Sequence, residues 1–172
     1  LIGDPYVIVH SQGEAEHAAR GPSDVTINFI EETQMVEEFN GAIYLIIYLA
    51  LLVCGGFYGY QCLFTTRKFL DRYGFHHSAG FFARFAGVLI TAQTLVGIYL
   101  LFTGVGGSWA YFVYGFLGTG MTTVAGYHTI KLSPEFSEIE GLQYTAEGYA
   151  VPAALCIGWA VLIYGLSDRI YG

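Results

Sequence analysis

Long uncharged runs separated by short polar segments set the pattern of this chain. The first run extends from Phe39 to Thr66. The next is one neutral block from Phe85 to Ile130, too long for a single element. Gly104-Val105-Gly106-Gly107-Ser108 interrupts that block, and glycine supplies tight turns at little steric cost. The last run covers Gly148 to Ser167. Each piece is long enough for a hydrocarbon core of ~30 Å, which takes about 20 helical residues. The runs are continuous, whereas a barrel strand alternates over about ten residues. A helix also satisfies its own backbone groups inside lipid. The pattern therefore predicts helices over 41–64, 82–103, 109–130 and 148–167. The expected fold is all-α: an integral membrane four-helix bundle over 41–172, preceded by an extramembrane arm over 1–40.

The arm is the one sizeable polar region. It carries Asp4, Glu14, Glu16, Asp24, Glu31, Glu32, Glu37 and Glu38. Pro5, Gly13, Gly21 and Pro22 argue for irregular backbone before Ser23 or Asp24, either of which can cap a following helix. In that helix Phe29, Val36, Phe39 and Ile43 share a face. The acidic face reads as solvated, or as a docking surface for a basic partner.

Composition supports a membrane location. Of 172 residues, 54% are hydrophobic and only 12% charged, against about 25% charged in soluble domains. The net charge of −7 excludes nucleic acid as a natural partner, because phosphate binding needs clustered Lys and Arg. Arg67, Lys68, Arg72, Arg84 and Lys131 fall on one side of the expected bundle, and Arg20 and Arg169 on the other. The positive-inside rule then places both termini on the outer side of a prokaryotic plasma membrane or an organellar inner membrane. A start at Leu1 rather than Met fits removal of a targeting peptide.

Small and polar residues inside the spans predict close helix contact. Gly55 and Gly59 have GxxxG spacing, and Gly87 and Gly126 continue similar series with Ala83 and Thr122. Gln93 and Thr94 in the second helix lie at the depth of Thr119, Thr122 and Thr123 in the third. Hydrogen bonds across that hairpin are expected, with the lining of a bound lipid, pigment or quinone as the alternative. Tyr44, Tyr48, Trp109 and Tyr111 read as an outer aromatic belt, and Tyr58, Tyr60, Phe64 and Tyr127 as an inner one. Trp159 lies mid-span and reads as a packing residue.

The candidate chemistry rests on histidine. His128, His76 and His77 converge on the inner side, where imidazoles can ligate haem, copper or zinc. His10 and His17, with Glu14 and Glu16, are a second candidate metal set on the outer side. The three cysteines, Cys54, Cys62 and Cys156, all lie in apolar runs and form neither a CxxC motif nor a disulfide framework. The CxxC of the vitamin K epoxide reductase type and the outer-loop cysteines of tetraspanins are both absent. No Asp, Glu, Lys or Arg lies between the helix ends, which argues against an ion pump or coupled transporter.

The expectation is a non-catalytic accessory subunit of a larger multisubunit membrane complex, of respiratory, photosynthetic or membrane oxygenase type. Its partners are then the lipid bilayer and other membrane protein subunits. The alternative is a redox subunit holding haem, copper or quinone through His128 with His76 or His77. A small channel or carrier is the third reading.

Overall fold

A computed structural model describes residues 35–133 and 145–172. Among the described residues the chain is helical and contains no strand. In chain order the elements are α1 (Ala42–Phe64), α2 (Thr66–Tyr73), a 3-10 turn (His77–Ala79), α3 (Gly80–Thr103), α4 (Trp109–Tyr127), a π-helical turn (His128–Leu132), α5 (Glu147–Gly165) and α6 (Ser167–Ile170). The segments Ala42–Phe64, His77–Thr103 and Glu147–Gly165 are long and apolar enough to cross a membrane. The 19 residues of α4 fall outside that group. Its Gly115, Gly118, Gly120, Thr119, Thr122 and Thr123 dilute the apolar content.

The polar segment between the first two spans is itself helical. Its α2 is strongly amphipathic: Thr66 and Leu70 are buried and Phe69 and Tyr73 half-buried, while Arg67, Lys68, Asp71 and Arg72 are exposed. That is the i, i+3, i+4, i+7 spacing of one helix face. Gly74 ends α2 in the left-handed region (φ 70°), with its N–H bonded to Asp71 O and that of Phe75 bonded to Leu70 O. A glycine adopts this conformation without the Cβ penalty, which is why it closes helices so often.

Two antiparallel pairs build the molecule: α1 with α3, and α4 with α5. Small residues set the register of both. In the first pair, Gly55 and Gly59 of α1 lie against Thr94 and Thr91 of α3, and Gly87 of α3 lies against Cys62. In the second, Gly115 sits under the Trp159 ring, Gly120 beside Cys156, and Gly126 against the backbone of Gly148. In lipid there is no hydrophobic gain from burying one helix on another, so backbone approach and dispersion carry the association.

The pairs meet along α1 and α5, where Gly158 faces Leu51 and Gly165 faces Tyr44. The central core is confined to this end: Phe39, Tyr48, Leu51, Leu52, Val105, Phe112, Trp159, Leu162, Leu166 and Ile170. Tyr48 is fully buried, so it belongs to the core and not to an interfacial belt. Its ring packs on Phe39 (4.9 Å) and Phe112 (5.9 Å), and its hydroxyl donates to Gly97 O (2.8 Å). Tyr111 is likewise drawn inward, edge-on to Trp159 at 5.4 Å.

The tight hairpin expected from the second and third spans is replaced by a looser meeting. Residues 104–108 link the two pairs rather than closing one of them. Contact between α3 and α4 is limited to their linked ends, where Tyr111 reaches Gly97 and Gln93 reaches Gly115. The threonines turn to their own helices. Thr94 donates to Ile90 O, Thr119 to Gly115 O, Thr122 to Gly118 O and Thr123 to Thr119 O. A hydroxyl within reach of the carbonyl four residues back satisfies itself there, which removes the drive to bond across helices.

The core end is tied together by polar contacts. Asn40 donates to Gly165 O (3.0 Å) and Asp168 Oδ1 (2.6 Å). Arg169 donates to Asn40 Oδ1 (3.3 Å) and Glu37 O (3.3 Å). Trp109 stacks on Tyr171, and the Gly107 N–H reaches Arg169 O. Residues 37–40, 104–109 and 165–171 thus share one end of the molecule.

Candidate functional site

Of the two candidate histidine sets, one falls among the described residues. His10 and His17 lie outside the described residues, as do Glu14, Glu16, Glu31 and Glu32 of the arm and Glu135, Glu138 and Glu140. His76, His77 and His128 lie at the end opposite the core, but each is engaged separately. His76 Nδ1 is 2.8 Å from Ser78 Oγ and accepts the Ser78 backbone N–H, which caps the 3-10 turn. His77 Nε2 lies 2.7 Å from Asp71 Oδ1. His128 Nδ1 lies 3.0 Å from Ser133 Oγ. Among the described residues, no group of three His, Cys, Asp or Glu side chains is placed to share a metal.

His128 opens the π-helical turn that follows α4. Such turns interrupt the regular ladder and recur at functional positions. Here the turn stands at the mouth of a shallow open groove of ≈ 640 Å³. The groove is lined by α4 residues, chiefly Phe116, Leu117, Met121 and Val124, with His128 and Thr129 at its polar end. Met121 and Val124 remain 72% and 69% exposed, so nothing in the described chain covers this face. Such a surface suits an acyl chain, an isoprenoid tail or a neighbouring helix with one polar contact at its end.

The helix-packing candidates are all in contact seams except Thr119, whose hydroxyl turns back to Gly115 O (2.8 Å). Gly55, Gly59, Gly87 and Gly126 face the partner helix of their own pair, and Gln93 crosses from α3 to α4. The Tyr111 hydroxyl is buried without a hydrogen-bond partner among the described residues, next to Gly97.

Two polar ties escaped the sequence reading. One is the Asn40–Asp168–Arg169 cluster, for which the turn dipeptide Asn40-Gly41 was the available signal. The other joins the opposite end: Tyr73 donates to Glu147 Oε2 (3.1 Å), linking α2 to the start of α5. Burial, and then the adjacent Glu147 carboxylate, raise the Tyr73 phenol above its ordinary pKa, so it stays a donor through the neutral range. No residue pattern announces that contact, because its partners are far apart in sequence.

Compared with known proteins, the chain matches no family model, no curated protein and no solved structure.

Proposed function

We propose that this chain is a non-catalytic accessory subunit of a larger multisubunit membrane complex, crossing the bilayer four times with both ends on the outer side. The fourth crossing is α4. Its 19 residues span about 28 Å at 1.5 Å per residue, close to the hydrocarbon thickness. It carries no ionisable side chain other than tyrosine. It also runs antiparallel to α5 from Gly115–Trp159 to Gly126–Gly148, so a membrane that contains α5 contains α4. An even number of crossings puts residues 37–40 and 165–172 on one face, in keeping with the Asn40 contacts. The basic α2 and Lys131 then lie on the inner face.

The observation that carries the subunit reading is the uncovered side of α4. Gly118 has nothing within 4 Å of the position its Cβ would take, and Thr122 and Ala125 beside it are exposed. Lipid tails are served by bulky apolar residues, whereas small residues on an outer helix face suit the close approach of another helix. The histidines, each held by a local serine or aspartate, add no shared ligand set to this face.

Extraction from native membranes in mild detergent tests the proposal. The chain is expected to migrate in an assembly with other integral membrane subunits, identified by mass spectrometry of the same band. Migration as an isolated chain, or a Soret band abolished by His128→Ala, would contradict it.

A further inference from the structure

We infer that α2 and the first turns of α3 form a recognition site for the headgroup of an anionic phospholipid of the inner leaflet. The inference rests on the membrane reading above and not on the accessory-subunit role. Arg67, Lys68 and Arg72 project from the exposed side of α2, while Leu70 is buried and packs beside Gly80 at the start of α3. The helix is thereby held against the end of the α1–α3 pair, with its cations on the exposed side. Arg84 joins them from α3. Its Nε donates to Thr66 Oγ1 (3.3 Å), and the Thr66 hydroxyl in turn donates to Cys62 O (2.6 Å). That bond uses Nε alone, and among the described residues the two terminal nitrogens of the guanidinium have no partner and can take a phosphate oxygen pair.

Neither described carboxylate at this end forms an ion pair with these four cations, which outnumber Asp71 and Glu147. Asp71 is taken up by His77, and Glu147 accepts from Tyr73. Around the cations, Phe64 at the end of α1 and Phe81, Phe82 and Phe85 in the first turns of α3 are large, apolar and exposed. Cations interleaved with bare aromatic surface match a lipid with an anionic head and acyl tails. A soluble phosphate ligand would leave that apolar surface without a role. Juxtamembrane Lys and Arg each strengthen attraction to an anionic surface roughly fivefold, and the effect weakens with salt.

The test is native mass spectrometry of the purified chain released from nanodiscs of equal phosphatidylglycerol and phosphatidylcholine. Retained lipid is expected to be mainly phosphatidylglycerol. Arg67→Gln/Lys68→Gln/Arg72→Gln should lose that preference, Arg84→Gln should lower it several-fold, and the Arg67→Lys/Arg72→Lys pair should keep most of it. Arg169→Gln, at the other end, should leave it unchanged. Equal retention of the two lipids by the wild type overturns the proposal, whatever the variants do. So does equal loss from Arg169→Gln. Failure of the chain to enter nanodiscs at all would instead overturn the membrane reading.

Discussion

Two tyrosines, one on α1 and one on α4, behave in opposite ways. Tyr48 is sealed in the core and its hydroxyl donates to the Gly97 carbonyl. Tyr111 comes to the same glycine, but its buried hydroxyl has no hydrogen-bond partner among the described residues. A buried hydroxyl that bonds contributes modestly, whereas one left unpaired carries its desolvation cost uncompensated. Tyr48→Phe is therefore expected to destabilise the chain by about 1 kcal/mol. Tyr111→Phe should leave stability unchanged or raise it. Thermal unfolding in detergent distinguishes the two, and a larger loss from Tyr111→Phe would reverse the assignment. Sequence placed both residues in an outer aromatic belt, as it did Tyr44 and Trp109. Residue type and depth set that expectation, but rotation about the helix axis decides between belt and core. With apolar residues on every side, α1 offers no polar face from which to read its rotation.

Element positions were legible to within a few residues, because charge and glycine mark them. The expected 41–64 became Ala42–Phe64, 82–103 became Gly80–Thr103, 109–130 became Trp109–Tyr127 with a π-turn, and 148–167 became Glu147–Gly165. Pairing was less legible. Equal depth suggested that Gln93 and Thr94 bond to Thr119, Thr122 and Thr123, yet Thr94 packs on Gly55 and the later threonines satisfy themselves within α4. Glycine positions are the sharper guide to contact, and they yield a test. A Cβ at Gly115 would stand 2.6 Å from Trp159 Cε2, against a rigid indole that has no room to rotate away. Gly115→Ala is expected to cost about 1–3 kcal/mol as an overpacked seam. Gly118→Ala, with open space around it, should leave the isolated chain at least as stable as the wild type, because alanine holds a helix better than glycine does. Equal effects of the two in a melting series would mean that α4 is rotated from the placement described here.

At the scale of the whole molecule, one end is built as a core and the other is left open. Buried aromatics, the Asn40 cluster and the 104–108 link gather at the first. Cations, histidines and the open α4 groove gather at the second. Overall hydropathy and the side on which the basic residues fall were readable from composition. Which faces stay uncovered was not, since exposed and buried positions of these helices are almost equally apolar. The account depends on α4 being a true crossing despite its diluted composition. Single cysteines in a background without Cys54, Cys62 and Cys156, probed with a membrane-impermeant thiol reagent, measure this directly. Glu38→Cys, Gly106→Cys and Tyr171→Cys should label from one side, and His77→Cys and Lys131→Cys only from the other. Labelling of Gly106→Cys and Lys131→Cys from the same side would remove the α4 crossing and with it the four-span account.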